Sequence, residues 1–177
     1  MIELDISVWE NFSKLGFLQS FPKDSVLKAS HAVENYFNFL VEGSGGNFLW
    51  TEANPVCIDI SLDHDFLNDY MSFTTRQPSP IEVKLFEDSK VFRIPYENFQ
   101  KTMQEGSFGK EISLLAAQGA FIEKQQQQID LLTKSAKQRY LESLEKRPEL
   151  NRIPLKYLAS YLGITPQSMS RIRRKKI

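Results

Sequence analysis

Residues 152–176 read RIPLKYLASYLGITPQSMSRIRRKK, and this pattern predicts two short helices joined by a tight turn. Pro154 suits the first turn of a helix, because the N–H that proline lacks would have no partner there. Gly163 is free to take the positive φ that ends a helix. Thr165 is a typical N-cap and Pro166 a typical first helical residue, so a second helix is predicted to begin at this point.

The side chains of the two predicted helices separate into a buried and an exposed set. Apolar residues spaced i, i+3, i+4 and i+7 predict one buried face on the first helix, and two apolar residues of the second are predicted to face inward. The predicted buried residues are Leu155, Leu158, Ala159, Leu162, Met169 and Ile172. The residues predicted to face outward are Gln167, Ser168, Ser170, Arg171 and Arg174.

These outward side chains have the chemistry of a DNA-binding surface. Gln can pair with the edge of adenine and Arg with the edge of guanine, whereas Ser, Thr and a helix N-terminus suit phosphate groups. The pattern therefore predicts a helix-turn-helix whose second helix enters a DNA groove. A small helical hairpin with a solvated basic tail is the alternative.

The stretch LGITPQSMSRI at residues 162–172 resembles the recognition-helix signature of Crp/Fnr-type bacterial transcription regulators, in the form of the short regulators of Bacteroidetes-type bacteria. The resemblance implies that Gln167 and Arg171 read bases and that Thr165 and Ser168 contact phosphates. Pro166 stands where some relatives have a base-contacting arginine, so their operator is not carried over. The predicted DNA-binding residues are Thr165, Gln167, Ser168, Ser170, Arg171, Arg174 and Lys175, and Arg173 and Lys176 are predicted to add sequence-independent attraction to phosphates.

Charge is divided unevenly along a chain whose net charge is zero. Residues 134–177 carry 12 Lys and Arg against 3 Asp and Glu, whereas residues 1–133 carry 10 against 19. The basic C-terminal end is expected of a module that binds a polyanion, and the acidic remainder would be repelled by DNA. DNA contact is therefore expected at the C-terminal end.

Cysteine and histidine are scarce. Cys57, the single cysteine, lies in an apolar strand-like run and is predicted to be a buried small hydrophobe. His31 and His64 do not supply the roughly three histidines and a carboxylate of a cupin metal site, so no metal or cofactor is expected. No apolar run approaches the roughly 20 residues of a membrane span, and the N-terminus lacks the basic start of a signal peptide. We therefore expect a cytoplasmic protein without a membrane partner.

Residues 26–94 change to the period of β-strands. Ile58, Ile60 and Leu62, for example, alternate with the residues between them. Short runs of this kind are separated by turns without intervening helices, which favours an antiparallel β-barrel or jelly roll over a parallel α/β sheet. The predicted strands are 26–29, 36–41, 47–51, 56–62, 81–86 and 90–94, and short helices are predicted at 7–18 and 95–104.

A long helix is predicted from Lys110 to about Leu132. Apolar residues recur along it at alternating steps of four and three, as in the seam of a coiled coil. The other faces turn polar towards the C-terminal half, which favours pairing with a second copy; packing of the helix on its own barrel is the alternative. The predicted dimer seam consists of Ile112, Leu115, Gly119, Ile122, Gln126 and Ile129.

The order of the predicted elements resembles the Crp/Fnr layout and implies an α+β protein of three parts. These are a cyclic-nucleotide-binding-like β-barrel sensor domain at 1–106, a dimerisation helix at 107–133 and a helix-turn-helix DNA-binding domain at 134–177. Cyclic-nucleotide-binding relatives hold ribose and phosphate with a Gly-Glu start and an arginine finish, and residues 65–80 depart from that pattern. Cyclic AMP is therefore not expected to bind, and an effector segment is proposed around Asn68, Arg76 and Ser79.

Together these features predict a homodimeric, sequence-specific transcription regulator that is not an enzyme. Its predicted partners are double-stranded DNA and a second copy of the chain, with RNA polymerase and an unidentified small-molecule effector as candidates. Two alternatives from other classes are a cupin-like barrel enzyme with an accessory helical domain, and a ligand- or protein-binding barrel whose helical module does not bind DNA.

Overall fold

In the computed structural model, which describes residues 13–52, 54–105 and 107–174, seven β-strands form two antiparallel sheets. The first sheet has the order β1 (Phe17–Phe21), β7 (Ser89–Pro95) and β3 (Tyr36–Glu42). The second has the order β2 (Val26–Lys28), β6 (Ile81–Leu85), β4 (Gly45–Trp50) and β5 (Pro55–Ser61). The antiparallel pairing is as predicted, and a closed barrel stays a prediction.

The two sheets share a small apolar core. Leu40 of β3 and Val91 of β7 pack with Val83 and Leu85 of β6, and all four side chains are fully buried. Leu67 from the loop after β5 completes this cluster. We refer to residues 13–95 as the sheet domain, because this core holds the two layers together.

Strand β1 was not predicted from the sequence. The helix predicted over residues 7–18 is wrong at its end, because Phe17 and Leu18 pair with Arg93 and Phe92 of β7. Residues 7–12 of that prediction lie outside the described residues. Both side chains are largely exposed, so the strand has no buried face that would have produced an alternating pattern.

Six α-helices and a 3₁₀ turn complete the part of the chain that the structure describes. They are α1 (Tyr70–Thr75), α2 (Tyr96–Glu105), α3 (Ser107–Thr133), α4 (Ala136–Lys146), the 3₁₀ turn Pro148–Arg152, α5 (Leu155–Leu162) and α6 (Pro166–Arg174). Ser135 caps α4 in a reciprocal capping box with Gln138, which fixes the break between α3 and α4. None of the described helices is long and apolar enough to cross a membrane.

A second core joins the sheet domain to the C-terminal helices. Phe48, Cys57 and Ile60 of the second sheet belong to the same buried cluster as Leu158 and Met169. We call residues 136–174 the C-terminal module. Because this cluster spans both parts, the module lies directly against the sheet domain instead of hanging from α3.

Candidate nucleic-acid interface

Helices α5 and α6 are joined by a tight turn with well-defined ends. Gly163 adopts the left-handed conformation with φ of 70°, and its N–H donates to carbonyl groups in the last turn of α5. Thr165 caps α6, since its hydroxyl oxygen accepts a hydrogen bond of 3.2 Å from the Ser168 N–H. Met169 anchors α6 from below and is fully buried. The opposite face of α6 is therefore held towards solvent by local geometry.

The residues predicted to bind DNA lie largely on that open face. Gln167 and Arg171 are one helical turn apart and both are exposed, so their side chains lie on the same side of α6. Arg174 is also exposed, whereas Ser168 and Ser170 are half-buried. Lys175 and Lys176 lie outside the described residues. The structure thus brings a glutamine and two arginines together on one accessible surface.

Thr165 has a structural task besides the predicted contact with phosphate. Its hydroxyl donates to the Ser168 oxygen at 3.1 Å while accepting from the Ser168 N–H. These two bonds consume part of the hydrogen-bonding capacity of both side chains. Thr165 therefore acts as the N-cap of α6 in the structure, and its hydroxyl orients the side chain of Ser168.

Arg173 points towards the module instead of away from it. Its Nε donates to the Tyr140 hydroxyl at 3.3 Å, and one of its terminal nitrogens donates to the Ile153 carbonyl at 3.3 Å. The guanidinium therefore ties α6 to α4 and to the start of α5. The sequence grouped Arg173 with the neighbouring cations because it cannot distinguish a tethering arginine from a solvated one.

The described part of the predicted dimer seam is open to solvent. Ile122 and Ile129 are 66% and 52% exposed, and an added Cβ at Gly119 would meet no atom within 4 Å. Gln126 is also exposed, and its amide donates to Asp130 on the same helix at 2.7 Å. The side chains of Ile112 and Leu115 lie outside the described residues.

The opposite face of α3 contacts its own chain. Lys124 forms an ion pair with Asp59 at 2.6 Å, and the Gln127 amide donates to the Tyr161 hydroxyl at 3.1 Å. An adjoining apolar stripe, which the heptad count missed, is also exposed. It consists of Leu114, Phe121 and Leu132. The helix therefore presents more apolar surface to solvent than the predicted seam alone.

The residues of the predicted effector segment are held by contacts within the sheet domain. The Asn68 carboxamide exchanges hydrogen bonds with the backbone of Asn38. Arg76 donates to the Glu34 carbonyl and to the Asn35 side chain, and its guanidinium lies 3.9 Å from the centre of the Tyr96 ring. These contacts, to Glu34 and Asn35 of the sheet domain and to Tyr96 at the start of α2, direct the charge of Arg76 to its own chain.

Ser79 is hydrogen-bonded to both members of a buried ion pair, Lys28 and Asp69, which the sequence did not predict. The Lys28 ammonium lies 2.8 Å from the Asp69 carboxylate, and the two side chains are 2% and 0% exposed. It also donates to the Ser79 hydroxyl at 3.0 Å and to the Ile81 carbonyl at 2.6 Å, while Ser79 itself donates to Asp69. Lys28 was missed because a lysine at the end of a short strand reads as an exposed residue.

This ion pair changes the electrostatic interpretation of the segment. Lys28 neutralises the charge that Asp69 would otherwise present to a phosphate, and the second oxygen of Asp69 caps α1 by accepting from the Ser72 N–H at 3.1 Å. A buried pair that is fully hydrogen-bonded in this way holds its surroundings in one arrangement. The buried Lys28 therefore holds Asp69, and through it the N-terminus of helix α1, in place.

A buried glutamate lies next to this cluster. Glu34 Oε1 accepts from the Tyr36 N–H at 3.1 Å, and Oε2 has no hydrogen-bond partner among the described residues. Burial raises the pKa of Glu34 to about 7, and the nearby charge of Asp69 acts in the same direction while that of Arg93 opposes it. The carboxyl group therefore changes charge close to neutral pH.

The described cysteine and histidines do not form a metal site. Cys57 is only 2% exposed, as predicted, and burial raises the pKa of its thiol to about 12. His31 and His64 are exposed turn residues with positive φ. Within the described ranges, no three His, Cys, Asp or Glu side chains lie close enough together to hold a metal ion.

The fold has many solved counterparts, although the sequence has no close match. No family model and no curated protein matches the chain. FixK2 from Bradyrhizobium japonicum superposes with a TM-score of 0.75 at 16% identity over 90% of this chain and 83% of that one. The c-di-GMP-responsive global regulator CLP from Xanthomonas campestris gives 0.69 at 14% identity over 97% and 91%. The catabolite activator protein of Thermus thermophilus gives 0.61 at 13% identity over 98% and 84%. The chain therefore has the fold of Crp/Fnr-family transcriptional regulators.

Proposed function

We propose that the chain is a Crp/Fnr-type transcription regulator that binds DNA through α6. The observation that carries this proposal is the accessible Gln167–Arg171 face on a helix whose opposite side, at Met169, is fully buried. A helix anchored from below and polar above is suited to the major groove, where glutamine and arginine recognise adenine and guanine. Arg174 and Lys175 would add phosphate attraction, and Thr165, Ser168 and Ser170 complete the proposed contact set.

The proposed assembly is a homodimer formed along α3. Ile122 and Ile129 are exposed on the side of the helix that faces away from its own sheet domain, and they would form the seam. Gly119 lies in the same seam and, having no side chain, would let the two helix backbones approach closely. Parallel pairing would give two copies of α6 related by a two-fold axis. Such a dimer would recognise a near-palindromic site with half-sites about 34 Å apart.

We assign sensing to residues 1–106, dimerisation to 107–133 and DNA binding to 134–177. CLP responds to c-di-GMP, but that property is not carried over to this chain. Asn68, Arg76 and Ser79 are each engaged by the protein, and Lys28, a second cation beside the segment, is committed to Asp69. A cyclic nucleotide phosphate would have to displace these bonds, so we propose that the segment does not bind one. RNA polymerase stays a predicted partner, and we propose no catalytic activity.

Selection of binding sites from a random DNA pool with the purified, ligand-free chain tests this function. We expect enrichment of a near-palindrome. Failure to enrich any sequence, with the protein dimeric in solution, would contradict DNA recognition by the free protein.

Substitution of Arg171 tests the assignment of base reading. We expect Arg171→Ala to cost about 1–3 kcal/mol on the selected site and much less on random DNA, because only the specific complex contains the guanine contact. Titration of both DNAs at one salt concentration measures the difference. Lys90→Ala is the matched control, since Lys90 is an exposed cation of the sheet domain. An equal loss on both DNAs would show that Arg171 does not read bases.

A further inference from the structure

Two arginines fasten the C-terminal module to the sheet domain. Arg147, at the end of α4, donates to Asp65, and Arg152, at the end of the 3₁₀ turn, lies 2.6 Å from Asp63. Arg152 Nε also lies 3.2 Å from Glu87. The hydrogen bond from Arg152 lowers the pKa of Asp63 below its usual value, as expected of a carboxylate held in its charged form. We call these two arginines and their acidic partners the clamp.

The backbone of Gly43 is hydrogen-bonded to both Asp63 and Arg152 of the clamp. Its N–H donates to Asp63 at 2.6 Å, and its carbonyl accepts from Arg152 at 2.7 Å, so Asp63, Gly43 and Arg152 are mutually bonded. The φ of Gly43 is 122°, and an added Cβ would lie 2.1 Å from the Ser89 hydroxyl. Only glycine fits this position, because a side chain would collide with Ser89 of the neighbouring strand β7; the Gly43 carbonyl makes the contact with the module.

Two of the three acidic residues of the clamp, Asp63 and Asp65, lie on a short loop that leads to the buried ion pair. The Asp65 carbonyl accepts from the Leu40 N–H at 2.9 Å, and the Leu67 N–H donates to the Asn38 carbonyl at 3.0 Å. Four residues after Asp65 the chain reaches Asp69. Both ends of this loop are therefore fixed to β3 or to Lys28, so the clamp is anchored on a rigid support.

An apolar contact lies beside the clamp. The rings of Phe86 and Tyr157 stack at 4.4 Å with an angle of 16° between their planes. On β5 the Cys57 N–H donates to the Ser160 hydroxyl of α5 at 2.9 Å. Apolar burial gives this contact its affinity, whereas ion pairs with fixed geometry determine the orientation in which two surfaces meet.

We propose that Arg147 and Arg152 are positioning residues for DNA recognition: they hold the module in one orientation on the sheet domain and thereby fix the spacing of the two recognition helices in a dimer. This role rests on the proposed function. It gives the sheet domain, through Asp63 and Asp65, a direct part in half-site spacing. Neither arginine needs to touch DNA to do so.

The alkylation rate of Cys57 tests the clamp without DNA. This thiol is buried in the cluster shared with α5, so iodoacetamide reaches it only when the module opens or the chain unfolds. We expect Arg147→Met and Arg152→Met each to raise the rate about threefold, and the double variant about tenfold. Arg147→Lys, which keeps the charge, should recover part of the difference. Lys90→Met breaks an exposed ion pair within the sheet domain and should leave the rate unchanged.

Denaturant dependence separates opening of the module from global unfolding. Opening exposes the contact between the module and the sheet domain but leaves the rest of both parts folded, so the accelerated alkylation should depend less steeply on urea than global unfolding does. An unchanged rate in the double variant, or an increase with the full urea dependence of global unfolding, would overturn the clamp.

Half-site spacing tests the positioning role. On the selected operator, the wild-type chain should lose about tenfold or more in affinity when one or two base pairs are inserted between the half-sites, and the double arginine variant should lose much less of its affinity. An unchanged spacing preference in that variant would overturn the positioning role alone. Absence of DNA binding by the wild-type chain would instead overturn the proposed function, and with it this role.

Discussion

Glu34 shows how one residue links burial to the pH response of the sheet domain. Its carboxyl group is buried between β3 and α1, with one hydrogen bond from Tyr36 and the charges of Asp69 and Arg93 nearby. Burial favours the neutral acid, which is why its pKa is raised. The folded chain therefore binds a proton that the unfolded chain has already released between about pH 4.5 and about pH 7.

Stability should fall as pH rises through that window. Because the raised pKa favours the protonated folded state, its contribution is lost as Glu34 ionises. We expect Glu34→Gln to remove this dependence, so that the wild-type free energy of unfolding drops by about 1–3 kcal/mol relative to the variant between pH 5 and pH 8. Urea denaturation at pH 5 and at pH 8 measures the free energy of unfolding of both proteins. The exposed Glu97→Gln is the control. Equal pH dependence in wild type and Glu34→Gln would contradict the assignment.

At the scale of elements, helix α3 has one face that packs on its own chain and an opposite, exposed face that carries apolar residues. One face meets Asp59 and Tyr161 of its own chain, and the opposite face carries exposed Ile122 and Ile129. A 27-residue helix with that much exposed apolar surface is unlike a surface helix of a monomer. A second copy with the same seam would cover it.

A charge placed in this seam should break the proposed dimer. Ile122→Glu would have to bury a carboxylate between two helices, and we expect it to weaken dimerisation by about 2–4 kcal/mol. Leu131→Glu is the matched control, because Leu131 is exposed on the opposite side of the same helix. Sedimentation equilibrium at several concentrations measures the dimerisation of both variants. Loss of the dimer in the control alone would place the interface elsewhere.

The elements differ in how far their sequences determine them. The turn at Gly163 follows from a local signal, a glycine that is free to take positive φ, and it was predicted correctly. Strand β1 and Lys28 were missed because their states depend on distant partners, β7 and Asp69. The clamp was not predictable for the same reason: about 80 residues separate Asp65 from Arg147. The accessibility of Gln167 and Arg171 agrees with their proposed role but does not test it.

At the scale of the whole molecule, the shared buried cluster couples the stability of the sheet domain to that of the C-terminal module. Tyr157 connects them through its stack on Phe86. We expect Tyr157→Ala to lower the free energy of unfolding by about 1–3 kcal/mol and to weaken amide-exchange protection in β5 and α5 together. Exposed Tyr70→Ala should change neither. Loss of protection in α5 with β5 unaffected would show that the cluster does not couple the two parts.

The Lys28–Asp69 pair has a consequence for how a cell would use such a protein. A cation that belongs to the polypeptide cannot be exported, degraded or diluted separately from it. If this internal charge takes the place of a messenger, the quantity left to adjust is the abundance of the chain. Since formation of the proposed dimer depends on the square of the monomer concentration, occupancy of its DNA sites would then rise steeply with the rate of synthesis.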